Sequence, residues 1–510
     1  MSSRVRDVVV IGGGHNGLVA ACYLARSGLD VELVERDTVL GGAVSTVERW
    51  PGVRVDRGSS IHVMVRHTGI VEDLDLGSVG LQYDDVEPWA VLPHPDGAIR
   101  FSNDLDLTCA SIEASCGGED ATAYRRFVNE WTPRMRAFLD AAERPPTPAG
   151  LLRFATRSRP GRRGAARLAR SYLSPAEAVV EQRFADPRLR AAIAWWAAQS
   201  GPPPHAVGTA PMAGTVALFH LRRPGRPKGG SGRLTEALAR RLESFGGTVR
   251  VGEAATSIDN GPGGLAVHTV DGDRLPARSV VCACHILETA RLTADQDLAR
   301  TVRVGNGIGI AVRLLTDELP HYQVEADGVH RSMQLLVDST AQLRQAYGDY
   351  LRGEPAADPP VIVMTPSESD RTLAPAGRHV VTVWAQWHPY RLRSGSWQGR
   401  ADEAADAALA TVERWAPGFG AAVLERYVQT PAEIERELAL PAGNVMHLEP
   451  ELDQMFGLRP APGWSAYRSP HPGVYVCGAS THPGGGVWGA SGRSVAAVVE
   501  HDLHRRGRRT

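Results

Sequence analysis

The stretch VVVIGGGHNGLVAACYLARSGLDVELVERD, residues 8–37, decides the fold. It opens with a β-branched apolar run, which predicts a strand of a parallel sheet that is buried on both faces. Gly12, Gly14 and Gly17 follow with the spacing at which a tight turn brings backbone up to a diphosphate at a helix N-terminus. Glu35 closes the next predicted strand about 20 residues later, where a carboxylate binds the ribose of a dinucleotide. This setting predicts a dinucleotide-binding βαβ unit rather than a chance glycine turn.

Length and composition place the chain among large globular proteins. Its 510 residues predict two or three domains, and a formal net charge of −1 lacks the basic excess that is typical of nucleic-acid binding. No apolar run approaches the roughly 20 residues of a membrane span. The first strand begins too near the N-terminus for a signal peptide to precede it, so a cytoplasmic location is expected.

The cysteines and histidines argue against two further classes of chemistry. None of the six cysteines forms a Cys-x-x-Cys pair, so no redox-active disulfide of the usual kind is expected. The seventeen histidines include no His-Glu-x-x-His or comparable spacing, and no metal site is predicted.

Two later blocks add further parts of a nucleotide-binding fold. Residues 234–246 predict a helix that ends at paired glycines, and a strand meander follows. The last block, 473–503, predicts a strand, a glycine-rich loop and a helix whose N-terminus is aimed at a ligand. Between these parts, 119–223 is mostly helical, with Ser174 as the predicted N-cap of one helix, and 359–387 holds two predicted strands.

Six stretches carry a family resemblance: GGGHNGLVAACYLARSG at 12–28, LGGAVST at 40–46, PKGGSGRLTEALARRLESFGG at 227–247, PSESDRTLAPAGRHVV at 366–381, GNVMHLEPELDQMFGLRP at 443–460 and GVYVCGASTHPGGGVWGASGRSVAA at 473–497. Together they resemble the FAD-dependent amine oxidase and phytoene desaturase superfamily over nearly the whole chain. Within it, the chain is most similar to the subgroup of pyridine nucleotide-disulfide oxidoreductase domain-containing protein 2, although this sequence lacks the disulfide motif.

The resemblance implies an α/β fold, in which a Rossmann-like FAD-binding domain carries an inserted α+β substrate-binding domain. The FAD-binding domain would be discontinuous and consist of residues 1–75, 225–300 and 440–510. The substrate-binding domain would consist of 76–224, which is largely helical, and 301–439, which is mixed.

FAD is the cofactor that the resemblance implies, and residues of all three segments would bind it. The N-terminal glycines would hold the diphosphate, and the acidic residue after the second strand would hold the adenosine ribose. The turn around Gly58 would bring backbone near the flavin ring, and the C-terminal block would cover the ribityl chain and the pyrimidine edge. The implied set is Gly12, Gly14, His15, Asn16, Gly17, Glu35, Arg36, Gly41, Gly42, Gly58, Ser59, Ser60, Ala255, Gly478, Ala479, Gly485, Gly486 and Val487.

Two positions depart from the wider class of flavoproteins. Ala479 stands where that class has an aspartate on the ribityl chain, so Ser480 or backbone groups must make that contact. Ala43 stands where amine oxidases usually carry an arginine after the paired glycines. Both departures count against an amine oxidase proper.

The sequence has no second dinucleotide fingerprint, which an NAD(P)H site would need. GGSGRL at 229–234 lacks a preceding strand, and VGNGIGI at 304–310 precedes strand-like sequence rather than a helix. We therefore expect electrons to come from the organic substrate and to leave to O2 or a quinone-type acceptor. The favoured reaction removes two hydrogens from a largely apolar small molecule. Oxidation of an amine or alcohol, redox-neutral isomerisation and a non-catalytic FAD-binding scaffold stay open as alternatives.

Three side chains near the expected flavin site are candidate catalytic groups. His482, which precedes the tripled glycine, and His62 are imidazoles that could move a proton at neutral pH. Trp488 could form a flat wall beside the flavin. The alternatives are that His482 only orders its loop and that Trp488 only packs. Further candidates are His220 and His447 for the cavity wall, and Asp453 and Arg459 for a structural polar network.

Residues 153–170 carry seven arginines and no acidic residue, interleaved with apolar side chains. One interpretation of this pattern is peripheral contact with an anionic membrane surface, where each basic residue contributes about 1 kcal/mol. A solvated face or an oligomer contact is the alternative interpretation. The sequence leaves the oligomeric state open, with a homodimer among the alternatives.

Overall fold

The structure, a computed structural model, describes residues 4–157, 164–261 and 264–507. The centre of the arginine-rich run, 158–163, lies outside the described residues. The same holds for the last three residues of the basic tail.

The described residues form eighteen strands and eighteen α-helices. The strands are β1 Arg6–Ile11, β2 Val31–Val34, β3 Thr46–Trp50, β4 Val53–Asp56, β5 Tyr83–Asp85, β6 Ala90–Leu92, β7 Ile99–Phe101, β8 Gly225–Pro227, β9 Thr248–Arg250, β10 Ala255–Gly261, β11 Gly264–Thr269, β12 Arg274–Cys282, β13 Gly309–Thr316, β14 Met333–Leu336, β15 Val361–Met364, β16 His379–Gln386, β17 Val423–Gln429 and β18 Val474–Val476. The helices are α1 His15–Arg26, α2 Ile70–Asp73, α3 Leu105–Cys116, α4 Gly118–Ala142, α5 Pro148–Arg157, α6 Gly164–Leu173, α7 Ala176–Arg183, α8 Pro187–Ala198, α9 Ala210–Gly214, α10 Val216–Leu221, α11 Arg233–Ser244, α12 Ile286–Leu292, α13 Gln296–Thr301, α14 Thr340–Leu351, α15 Pro366–Ser369, α16 Trp397–Trp415, α17 Pro431–Leu438 and α18 Ala490–Gly507.

The first large sheet has the strand order β10-β11-β12-β1-β2-β9, and β18 also pairs with β12. Strand β1 runs parallel to β2 and β12, and β18 runs parallel to β12, whereas β10, β11 and β12 form an antiparallel meander. All of these strands lie within the ranges 1–75, 225–300 and 440–510. The sheet is therefore assembled from three separate parts of the chain, although the exact domain boundaries stay predictions.

Both faces of this sheet are covered, as the apolar run of β1 predicts. Val8 and Val10 belong to a buried cluster that contains residues of α1, α11 and α18. Val9 and Ile11 point to the other face and join a cluster with residues of α12 and the meander. Because successive side chains of a strand point to opposite faces of the sheet, this short strand packs against both layers that cover it.

The second large sheet has the order β17-β13-β16-β15-β14-β6-β7, and all of its pairs are antiparallel except that of β14 with β6. It shares one buried core with the helices α3, α4, α7, α8, α9, α10, α14 and α16. Its strands lie within the ranges 76–224 and 301–439. In the described part of the chain, none of the helices combines the length and the apolarity needed to cross a membrane.

Most predicted elements are confirmed, and one helix start is wrong. The helix predicted over 234–246 is α11, and the two strands predicted within 359–387 are β15 and β16. Ser174, however, does not cap α7: its hydroxyl donates to the carbonyl of Arg170 at 2.7 Å. The first amide of α7, that of Ala176, instead donates to Thr209 Oγ1 at 2.9 Å. A partner distant in sequence replaces the local cap.

Candidate functional site: a dinucleotide cradle

A cavity of about 520 Å³ opens at the carboxyl ends of four parallel strands. Its wall includes the residues that follow β1, β2, β12 and β18, namely Gly12, Glu35, Ala283 and Gly478. The opposite wall comes from α17 and the turn after it. Open α/β sheets bind ligands at this edge, and the volume lies within the roughly 300–1,000 Å³ of small-molecule sites.

The three fingerprint glycines have different physical roles. Gly12 has φ +108°, and a Cβ there would lie 3.1 Å from the backbone of Ala283. A Cβ on Gly17 would lie only 2.1 Å from the carbonyl oxygen of Gly12, so this glycine permits close contact between the helix and the turn. A Cβ on Gly14 would meet no protein atom within 4 Å. The space beside Gly14 therefore belongs to the cavity.

The start of α1 suits a phosphate group. Gly14 is the N-cap, has extended backbone angles, and supplies no side chain to cap the helix. The first turn of this twelve-residue helix carries no acidic residue. Amide groups and the positive end of the helix dipole are thus available to a diphosphate in the cavity.

Glu35 lies on the cavity wall with its carboxylate held by backbone amides. Gly13 N donates to Oε2 at 2.6 Å, and Asp37 N donates to Oε1 at 2.8 Å. Each oxygen retains a lone pair that can accept a ribose hydroxyl. Arg36 lies on the same wall.

The turn after β2 and the start of β10 complete the adenosine side of the cavity. Gly41 and Gly42 line it with φ of +113° and +55°, and a Cβ on Gly41 would lie 2.2 Å from the carbonyl of Val44. Ala255 lies on the wall, and Arg291 Nη2 donates to its carbonyl at 3.1 Å. FAD fits this site, since the start of α1 would hold its diphosphate and the Glu35 carboxylate would hold its adenosine ribose.

The implied cofactor residues divide into two groups. The cavity wall contains Gly12, Gly14, His15, Asn16, Glu35, Arg36, Gly41, Gly42, Ala255, Gly478 and Ala479. Outside it lie Gly17, Gly58, Ser59, Ser60, Gly485, Gly486 and Val487. Gly58 packs on Ala43, since a Cβ there would lie 2.5 Å from the Ala43 carbonyl oxygen. A contact with FAD stays a prediction for each residue of this second group.

None of the three candidate catalytic side chains borders this cavity. His482 is buried, its Nε2 donates to the carbonyl of Ala141 at 3.0 Å, and it borders a separate small cleft. Burial lowers its pKa to about 4. Trp488 Nε1 donates to the carbonyl of Gly485 at 3.0 Å. Catalytic roles for these side chains stay predictions.

His62 is wholly buried and has partners on both ring nitrogens. Nδ1 lies 2.7 Å from the hydroxyl of Tyr83, and Nε2 lies 2.7 Å from that of Ser231. Burial is the main cause that lowers its pKa to about 3, so the ring is neutral near pH 7. These bonds tie β5 to the turn before α11.

Two histidines on the cavity wall lie face to face. The rings of His285 and His447 are 4.8 Å apart at an interplanar angle of 25°. His447 was a candidate for the wall, and the structure places it there. His285 was missed, although its position just after the apolar strand β12 was a usable signal. His220, the other wall candidate, instead bonds Tyr124 and the Asn103 carbonyl.

The wall contributed by α17 had no signal in the sequence. Glu435, Glu437 and Leu438 reach the cavity because the second unit folds back over the first. Across the described residues, no group of three or more His, Cys, Asp or Glu side chains is placed to hold a metal ion.

Ser480 or backbone groups were expected to contact the ribityl chain, and that contact stays a prediction. Its Oγ accepts the amide of Ile286 at 3.1 Å and lies 2.9 Å from Nδ1 of His447. The hydroxyl is thus engaged within the protein, whereas Gly478 and Ala479 line the cavity.

Comparisons with known proteins agree with this geometry. The family model of flavin containing amine oxidoreductases matches residues 17–425. Pyridine nucleotide-disulfide oxidoreductase domain-containing protein 2 of Mus musculus is 33% identical, over 98% of this chain and 94% of the mouse protein. Phytoene dehydrogenase of Streptomyces griseus is 26% identical, over 84% of this chain and 83% of its own length.

The solved structures agree in fold. Cyclohexylamine oxidase from Brevibacterium oxydans matches with a TM-score of 0.58 at 14% identity, over 98% of this chain and 100% of that chain. The predicted α/β FAD-binding fold, the FAD cofactor and the family resemblance are confirmed. The chain belongs to the flavin-containing amine oxidoreductase family and is an FAD-dependent oxidoreductase.

Proposed function

We propose that this enzyme removes two hydrogens from a largely apolar organic substrate and passes the electrons to O2 or a quinone-type acceptor, without NAD(P)H. The observation that carries the proposal is the single open dinucleotide cradle among the described residues. When bound, FAD supplies a two-electron acceptor for hydrogen taken from carbon. The chain holds it through the start of α1 and the carboxylate of Glu35.

The other two glycine-rich stretches are filled by protein. A Cβ on Gly230 would lie 2.5 Å from Thr46 Oγ1, and one on Gly232 would lie 2.7 Å from the amide nitrogen of Thr46. In the later stretch, a Cβ on Gly307 would lie 2.8 Å from the carbonyl of His388. Neither stretch has an equivalent of Gly14, whose missing side chain leaves open space. This supports an electron route that starts at the organic substrate.

The names of two relatives support an apolar substrate. The relative from Streptomyces griseus is named a phytoene dehydrogenase, and another relative, from Cereibacter sphaeroides, is named a hydroxyneurosporene desaturase.

The test is anaerobic reduction of the holoprotein, followed through loss of the visible flavin band. A panel of polyenes, other alkenes, amines and alcohols is mixed with the protein, and products are analysed. We expect bleaching by an apolar alkene-type compound with formation of a new double bond, and recovery of the band on adding O2 or a quinone. Bleaching by amines or alcohols alone would assign the oxidase alternative. Conversion only after prior flavin reduction would indicate an isomerase, and full FAD content without any reduction would indicate a scaffold.

A further inference from the structure

Three side chains form a cluster beside Gly478 and Ala479: His285, His447 and Ser480. Both histidines line the cavity, and the Ser480 hydroxyl lies behind them. Positions 478 and 479 themselves offer a dinucleotide no carboxylate, because their side chains are hydrogen and methyl. The cluster supplies polar side chains beside these two positions.

The protonation of His285 follows from its partners. Its Nδ1 accepts the amide of Leu287 at 3.1 Å, so that nitrogen carries no proton. Its Nε2 lies 3.1 Å from the carbonyl oxygen of His447, which can only accept. The neutral ring is therefore protonated on Nε2 and is fully used in holding the backbone at position 447.

The protonation of His447 follows from Ser480. The Ser480 oxygen already accepts the amide of Ile286, and among the described residues its proton has one acceptor, Nδ1 of His447 at 2.9 Å. Burial holds the pKa of His447 well below its ordinary value, so the ring is neutral. With Nδ1 accepting, the single ring proton is on Nε2. No described residue bonds this nitrogen, and the ring is on the cavity wall.

The backbone around His447 is held in an unusual conformation. His447 has φ +65°, which is uncommon for a residue other than glycine. Arg459 is buried and donates from Nη2 to the carbonyl of Met446 at 3.0 Å and to that of Ala479 at 2.7 Å. One guanidinium thus joins the segment before His447 to the wall at Ala479. These hydrogen bonds hold the backbone around His447 in its conformation.

We propose that His447 is an FAD-binding residue, whose Nε2–H donates a hydrogen bond to a phosphate or ribityl oxygen of the cofactor beside Gly478 and Ala479. Ser480 sets the tautomer, and Arg459 positions the segment. This donor would act where the family resemblance implies Ser480 or backbone groups. The proposal depends on FAD as the cofactor and is independent of the substrate.

The test compares His447→Met with His447→Gln. Both side chains are unbranched and meet the same backbone strain, but only glutamine offers an N–H at a similar reach. Apoprotein of each variant is titrated with FAD, and affinity is read from the change in flavin fluorescence. We expect methionine to weaken FAD binding about tenfold, which matches one lost hydrogen bond, and glutamine to stay within about threefold of the parent.

A parallel titration with ADP locates the acceptor. A loss of ADP affinity in His447→Met assigns a phosphate oxygen, whereas unchanged ADP affinity assigns the ribityl side. His220→Met is the matched control, since His220 is a partly buried histidine with its bonds away from the cavity, and the FAD affinity of this variant should equal that of the parent. Equal FAD affinities of the methionine and glutamine variants, whether both unchanged or both reduced, would overturn the proposal. Thermal unfolding of each apoprotein separates lost binding from lost folding.

Discussion

The turn after β1 and the glycine-rich block after β18 both follow a parallel strand, yet they use glycine differently. In the first, Gly14 faces open cavity and exposes a helix N-terminus. In the second, Gly478 borders the cavity, but a Cβ on Gly485 would lie 2.6 Å from Met446 Sδ. The rest of the block packs within the protein: His482 bonds the carbonyl of Ala141 at the end of α4, and the backbone of Gly486 bonds His15 at the start of α1.

The difference shows what a glycine pattern leaves undecided. A missing side chain makes room, and the room is taken either by a ligand or by the protein itself. In both loops, the glycines that border the cavity lie close to the end of the parallel strand. Substitutions along the two loops should therefore separate lost folding from lost binding.

The largest effect is expected for Gly17→Ala. The new Cβ would lie 2.1 Å from the carbonyl oxygen of Gly12, a backbone atom that cannot move aside without opening the turn. We expect a loss of about 3 kcal/mol or more in the free energy of unfolding, measured by denaturant titration of the apoprotein. A stable apoprotein with only FAD affinity reduced would contradict this role for Gly17.

Gly14→Val should remove binding and spare the fold. The position has φ −66° and ψ 164°, which valine adopts readily, and no protein atom lies within 4 Å of the new Cβ. We expect FAD affinity to fall about 100-fold or more, because the side chain fills the space of the diphosphate. The apoprotein should unfold within a few degrees of the parent on thermal unfolding. Yellow protein with normal FAD content would show that the diphosphate lies elsewhere.

His482→Asn tests the glycine-rich block after β18. The change breaks the bond to Ala141 and should lower the free energy of unfolding by about 1–2 kcal/mol. The rate of flavin reduction by substrate should change less than tenfold, because the Nε2 proton is already bonded to the Ala141 carbonyl and burial lowers the pKa of the ring to about 4. A rate loss of roughly 10²–10⁴, the range for a lost acid–base group, would restore His482 as a catalytic residue.

Buried histidines should also make stability depend on pH. Burial lowers the pKa of His482 to about 4 and that of His62 to about 3, from an ordinary value of 6.5. As the pH falls, the unfolded chain binds a proton at each of these histidines before the folded chain does. The free energy of unfolding is therefore highest above pH 6.5 and decreases as the pH falls from 6.5 toward the folded-state pKa values. Each histidine lowers it by up to about 1.4 kcal/mol per pH unit in this range. Denaturant titrations of the apoprotein at several pH values should show that the free energy of unfolding depends less steeply on pH in His482→Gln than in the parent. An unchanged dependence on pH would contradict this assignment.

The smallest effect concerns membranes. Leu152 on α5 is 68% exposed, and Arg157 on the same helix pairs with Asp140 at 2.6 Å, which reduces its free charge. We predict that the protein co-sediments more with anionic than with neutral vesicles, and that salt weakens the effect through screening. Equal sedimentation with both would leave residues 153–170 as a solvated face.

The sequence predicted the N-terminal half of the site because that half is local. The strand, glycine turn, helix and Glu35 are near neighbours in the chain, and each has a spacing with a physical cause. The contribution of α17 to the cavity wall depends on how the second unit folds over the first, and no spacing of residues in the sequence predicts this contact. His482 and Trp488 stand in a conspicuous motif, but the path of their backbone toward α4 depends on long-range packing.

We infer that this enzyme has one dinucleotide site, which binds FAD, and that its electrons come from the organic substrate. The most direct test mixes the holoprotein anaerobically with excess NADPH, and separately with NADH, and follows the visible flavin band. We predict no reduction on the timescale of turnover with either nucleotide. Rapid bleaching by either one would contradict the claim and would require a second nucleotide site.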